Sequence, residues 1–87
     1  MRHYYLTYDS IGIMFSDIIE NKGEKTIRVY ANDEQDPNSN LEFSLPDYEI
    51  IRKQGFSDDL VKDIIFKVRT CEDVLWHLAK KEDELFS

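Results

Sequence analysis

The 87-residue chain predicts an α+β fold: a four-stranded antiparallel β-meander, then a short helix and one kinked or two C-terminal helices packed on the sheet. Two observations carry that expectation. Up to residue 45, apolar residues recur at every second position between turn-forming clusters, the period of a half-buried strand. From residue 57 they recur at every third or fourth position, the period of a helix with one core-facing stripe.

The first strand spans residues 3–8, where Tyr, Leu and Thr suit a pleated surface. Asp9-Ser10-Ile11-Gly12 reads as a turn. A second strand over 12–20 alternates Ile13, Phe15 and Ile19, and Asn21-Lys22-Gly23-Glu24 closes a hairpin in which Gly23 supplies a positive φ. Residues 25–31 place Ile27, Val29 and Ala31 inward and Arg28 and Tyr30 outward. A polar loop over 32–40 leads to a fourth strand, Leu41-Glu42-Phe43-Ser44-Leu45.

Residues 46–55 read as a short helix. Pro46 suits its first position, Asp47 and Glu49 favour the positive N-terminus, Arg52 and Lys53 the negative C-terminus, and Gly55 is the C-cap. Ser57 then caps a longer helix, with Phe56 able to pack on Val61 as a hydrophobic staple. Val61, Ile64, Val68, Cys71, Leu75 and Leu78 form its stripe. At about 100° per residue, Glu72 falls inside that apolar arc, where a charge is costly. Thr70 with Asp73 also spells a capping box. Both features place a kink or break near residues 70–72.

Bulk properties narrow the function. One domain spanning residues 1–87 is expected, large enough to bury roughly 60% of its unfolded surface. Eleven Lys and Arg against eighteen Asp and Glu give a net charge of −7. The acids are dispersed, eight with four bases in residues 1–43 and ten with seven in 44–87. That balance disfavours direct nucleic-acid binding, which relies on clustered cations. The lone Cys71 permits no internal disulfide and fits a reducing compartment. The start lacks the apolar core of a signal peptide, and no stretch approaches the ~20 apolar residues of a membrane span. A cytoplasmic protein is expected.

Catalytic and metal constellations are missing from the pattern. Cys71 lies on the apolar stripe, and His77 is about 120° around a continuous helix from it, so neither activates the other. A metal needs three or four converging ligands, which His3, His77 and one thiol do not supply. Asp73 and His77 make at most a surface pair. Asp36, Asn38 and Asn40 alternate like the start of a calcium loop. Leu41 stands where that loop needs Gly, however, and Asp47 in place of its closing Glu. Three glycines, Gly12, Gly23 and Gly55, make no phosphate-binding loop. No enzyme activity, cofactor or metal is expected.

The aromatics point to a partner surface. Tyr5 and Tyr30 are expected on the outer face of the sheet beside Arg28. Phe66 projects about 140° from Val61, away from the helix's core stripe, and joins Trp76 and Phe86 as interface candidates. The expected partner-binding residues are therefore Tyr5, Arg28, Tyr30, Phe66 and Trp76.

From Arg28 onward, Asn32-Asp33 with Pro37 before a strand, Gly55-Phe56-Ser57-Asp58 opening a helix with Ile64 and Val68, and a late Trp follow in order. Over about two thirds of the chain this order resembles a family of small uncharacterised bacterial proteins often encoded near toxin–antitoxin genes. The family has a His-x-His after the proline, where this chain has Asn38-Ser39-Asn40, so no role of those histidines carries over. The resemblance implies an accessory-genome setting.

The expected function is a small acidic non-catalytic module that binds a protein partner. An alternative is a mobile-element inhibitor, of antitoxin or anti-CRISPR type, blocking a basic nucleic-acid site by charge mimicry. A small metal-binding protein is a third reading. A homodimer is a further option for a core this small.

Overall fold

The computed structural model describes residues 2–86, with side chains described over residues 3–7 and 9–81. Among these residues six strands precede two helices: β1 (Arg2–Tyr8), β2 (Ile11–Ser16), β3 (Ile19–Asn21), β4 (Glu24–Asp33), β5 (Asp36–Leu45), β6 (Ile50–Gln54), α1 (Asp58–Thr70) and α2 (Glu72–Phe86). The α+β class stands, with six antiparallel strands in place of the expected four. The sheet order is β1-β2-β4-β5-β6, and the short β3 pairs with the start of β4.

The hairpins follow from local chemistry. Asp9 and Ser10 (φ 45° and 62°) and Lys22 and Gly23 (φ 55° and 82°) both have two central residues at positive φ. That conformation matches the right-handed twist of the strands it joins. The strand expected over 12–20 is interrupted at Asp17-Ile18, and its continuation is β3.

Alternation then sets two faces. Phe15, Val29 and Phe43 lie in register across β2, β4 and β5, as do Ile13, Ala31 and Leu41, and all are buried. Against them pack Val61, Ile64 and Val68 of α1 and Leu75 and Ala79 of α2, so the helices cover one face of the sheet. Phe56 and Val61 belong to the same core, and Ser57 caps α1, its hydroxyl accepting from the Leu60 amide at 3.2 Å.

The expected short helix over 46–55 is instead a turn and a strand. Pro46 follows a cis peptide, Tyr48 turns the chain at φ 56°, and β6 pairs with β5. A helix of that length is marginal in water, whereas the strand satisfies the open edge of β5 and suits the β-branched pair Ile50-Ile51. Gly55 keeps its positive φ of 79°, turning β6 into α1 against Ser39.

The expected loop over 32–40 is narrower than its composition suggests. β4 runs to Asp33 and β5 starts at Asp36, leaving Glu34-Gln35 as the turn. Asp33 accepts from the Gln35 amide at 2.9 Å. Asp36 accepts from the Asn38 amide at 3.1 Å and from the Ser39 hydroxyl at 2.8 Å.

The break expected near residues 70–72 falls at Cys71, between α1 and α2. Its chemistry differs from the expected capping box. The Thr70 hydroxyl donates back to the Lys67 carbonyl at 2.7 Å, and Cys71 ends α1 through its amide to the Val68 carbonyl. Cys71 is therefore half-buried at a junction and not a core residue, with its thiol 3.2 Å from the Lys67 carbonyl. No helix among the described residues is long and apolar enough to cross a membrane.

Candidate partner-binding face

The face of the sheet opposite the helices carries two adjacent rows of side chains. One runs Tyr4, Met14, Tyr30, Glu42, Arg52 across β1, β2, β4, β5 and β6. The other runs Thr7, Gly12, Asn32, Asn40, Gln54. On β2, β4 and β5 the neighbouring positions are core residues, so pleat geometry turns these rows, and the β1 and β6 residues paired with them, away from the helices. Tyr4 is 63% exposed, and Met14 and Tyr30 are half-exposed beside it. The Tyr4 hydroxyl meets the Thr7 hydroxyl at 2.7 Å, and Thr7 donates to Glu34 at 3.2 Å, which fixes the tyrosine at the β1 margin.

Arg28 donates to Glu42 at 2.9 Å. Arg52 lies directly across from Glu42 but has no ion pair among the described residues. Between them opens a shallow depression of about 140 Å³, lined by Tyr30, Asn32, Asn40, Leu41, Glu42 and Arg52. Asn40 lines it, with its side-chain oxygen buried beneath the surface and without a hydrogen-bond partner.

Of the residues expected on this face, Arg28 and Tyr30 lie on it. Tyr5 does not. It is the extra residue of a bulge between Tyr4 and Leu6, and it packs on the core side toward Cys71 at the α1–α2 junction. Its phenol is pushed up by a hydrogen bond with the Cys71 thiol, and further by burial. Tyr4 takes the outward position in its place.

Trp76 is half-buried against the core, and its indole N–H donates to Glu72 at 3.2 Å. The other oxygen of Glu72 accepts from the Tyr48 hydroxyl. Arg69 lies over the Tyr48 ring at 5.0 Å, and Phe43 stacks on it with ring centroids 6.0 Å apart. Burial, then the bond to Glu72, raises the Tyr48 phenol far above its ordinary value, so it remains a proton donor. The cluster joins the β5–β6 turn to the start of α2, and every polar end in it has a structural partner. Phe66, 69% exposed on α1, stands apart from the two sheet rows. Phe86 lies outside the described side chains.

His3 stacks on Phe15 at 5.2 Å and bonds to Asp17 at 2.5 Å. Among the described residues no three His, Cys, Asp or Glu side chains converge as metal ligands. Tyr4, Met14, Asn32, Asn40 and Arg52 are among the members of the face that sequence reasoning did not assign to it. Arg52 was legible as a cation, but assigning it to a helix terminus hid its place in a sheet row. No protein-family model, curated protein or solved structure matches the chain.

Proposed function

We propose that the domain is a non-catalytic protein-binding module that presents the helix-free face of its sheet to a partner. The observation carrying this reading is the row Tyr4, Met14, Tyr30 on open β-structure, ending at Arg52, which has no ion pair among the described residues. Tyr, Met and Arg are the residues enriched where interfaces bury their centres. Two tyrosines and a methionine supply contact area at low entropic cost, while the Asn rows supply adaptable hydrogen bonds. The partner is a protein because a chain of net charge −7 repels a phosphate backbone.

The charge-mimic reading draws less support. Glu42 is the single acid in the two rows and is held by Arg28, and Glu34 reaches over Gly12 from the β4–β5 turn to accept from Thr7, so the face holds two engaged carboxylates and is no acidic array. The dispersed acids serve solubility instead.

The reading is tested by affinity capture from native-host lysate with quantitative mass spectrometry, comparing wild type with Tyr4→Ala, Tyr30→Ala and Phe66→Ala. Loss of one bound protein by about tenfold or more in the tyrosine variants, with Phe66→Ala unaffected, is the expected result. Loss in Phe66→Ala alone moves the interface to the helices and ends the sheet-face reading. Thermal melts accompany each variant: the exposed Tyr4 and Phe66 should leave stability within about 0.5 kcal/mol of wild type, and the half-exposed Tyr30, paired across both neighbouring strands, should cost about 1 kcal/mol.

A further inference from the structure

Within this face we infer a carboxylate anchor site: the depression between Tyr30, Asn40 and Arg52 receives an aspartate or glutamate side chain of the protein partner. The inference rests on the sheet-face reading and deepens it by naming the group that docks.

Three observations converge on that chemistry. The first is the state of Arg52. Its cross-strand neighbour Glu42 is engaged by Arg28 at 2.9 Å, and no described carboxylate pairs with the Arg52 guanidinium. The adjacent Lys53, on the other side of the strand, has Asp58. In a chain with seven net negative charges, a cation without a partner among the described residues, beside a hollow, is the exception among its neighbours. The second is the hollow, about 140 Å³ and open to solvent above two rows of the sheet. The third is Asn40, whose buried side-chain oxygen has no donor. With that oxygen turned inward, the NH₂ end of the carboxamide is the one left to face the hollow, where it serves as a donor.

The matching ligand accepts hydrogen bonds and carries one negative charge. Arginine donates two parallel N–H bonds to a carboxylate, and the Asn32 and Asn40 amides can donate to the remaining lone pairs. Glu42 on the rim favours a single charge over a phosphate dianion, since repulsion grows with ligand charge. The Tyr30 ring forms the apolar wall against which the methylenes of the acidic side chain lie.

The experiment is an NMR titration of ¹⁵N-labelled protein with N-acetyl-glutamate N-methylamide. Its glutamine counterpart and inorganic phosphate are the parallel arms. Expected are saturable shifts at the Arg52 Nε–H and at the Asn32 and Asn40 side-chain amides. They are absent with the glutamine compound, at least about tenfold weaker in Arg52→Gln and unchanged in Lys53→Gln. Shifts that do not saturate, that equal those of the glutamine compound, that persist in Arg52→Gln, or that are larger with phosphate overturn the inference. Partner capture separates the two levels. If Tyr30→Ala abolishes capture and Arg52→Gln leaves it intact, the sheet face stands and the carboxylate anchor falls. If neither variant changes capture, both fall.

Discussion

Glu72 falls on the apolar arc of the helical stripe and lies half-buried at the start of α2. Its two oxygens accept from the Tyr48 hydroxyl and the Trp76 indole, so the charge is met by two donors from different elements. Glu72→Ala leaves both donors partly buried and unpaired, which costs about 2 kcal/mol. Glu72→Gln costs less. Its oxygen still accepts from Trp76, and its NH₂ can donate to the Tyr48 oxygen once that hydroxyl turns. Urea titration should show this order as two lowered midpoints with an unchanged slope. An alanine variant no weaker than the glutamine one would mean that the network adds nothing. Gly55 makes a second case at this scale. A Cβ there would lie 2.8 Å from the Ser39 Cα and 2.4 Å from its hydroxyl oxygen, at a φ of 79° that L side chains rarely adopt. Gly55→Ala is expected to lose about 2 kcal/mol or more, because a backbone atom cannot yield as a side-chain tip can. An equal or higher midpoint for this variant would contradict the close approach of β6 to β5.

Both outermost strands of the sheet, β1 and β6, carry a bulge: Tyr5 between Tyr4 and Leu6, and Ile51 opposite the Glu42–Phe43 step. A bulge interrupts the ladder and twists an edge away from a flat incoming strand. Two-fold pairing of β6 with a second copy also sets Arg52 and Lys53 against their own kind, which is unfavourable. The exposed Ile50 and Ile51 are therefore not expected to drive dimerisation by strand addition. Light scattering coupled to gel filtration should give the monomer mass of 10.4 kDa. A dimer that Ile51→Lys dissolves would refute the argument. The same two bulges explain where sequence reading stopped. Clean alternation in β2, β4 and β5 and the three-and-four stripe of the helices were legible, because one buried face imposes one period on each. So was the break beside Glu72, where charge and stripe collide. A bulge, however, adds one residue and reverses the parity behind it. With Leu6 inward, strict alternation turns Tyr5 outward and Tyr4 inward, and the structure has the opposite. At β6 the bulge sets Ile50 beside Ile51 with no alternation to read. The acids before them and the bases after them then imitate the two ends of a helix. The depression depends on this misread strand, so Arg52 and the Asn40–Gln54 row could not be assembled from local pattern alone.

At the scale of the whole molecule, charge joins segments distant in sequence, and the pH dependence of stability reports those joins. Asp17 is held below its ordinary value first by its hydrogen bond from His3, which fastens β1 to the end of β2. Asp47 is lowered by the Ser44 hydroxyl at 2.5 Å, within the turn that leads to β6. Asp58 is lowered by Lys53, which ties β6 to the first turn of α1. In each case the folded pKa lies under the unfolded one, so the unfolded chain binds more protons in the interval between them. The stabilisation is thus present above the ordinary aspartate value of about 3.9 and is lost as pH falls through the lower folded values. Asp47 and Asp58 are fully exposed, and solvent screening keeps their individual shares small. Thermal melts between pH 7 and pH 5 should therefore show no loss from these groups, with the decline beginning below about pH 4. Asp17→Asn keeps an oxygen for the His3 ring N–H but removes the titration, so its acid decline should be shallower than that of wild type. Parallel acid branches for the two proteins would show that the His3–Asp17 contact contributes nothing to the fold. Salt distinguishes this effect from the anchor site. The part of the acid branch that Asp17→Asn removes concerns one short hydrogen-bonded contact and should move little between 50 mM and 500 mM salt. Carboxylate capture at Arg52 is a contact between exposed charges and should weaken over the same range, where the Debye length falls to a few ångströms.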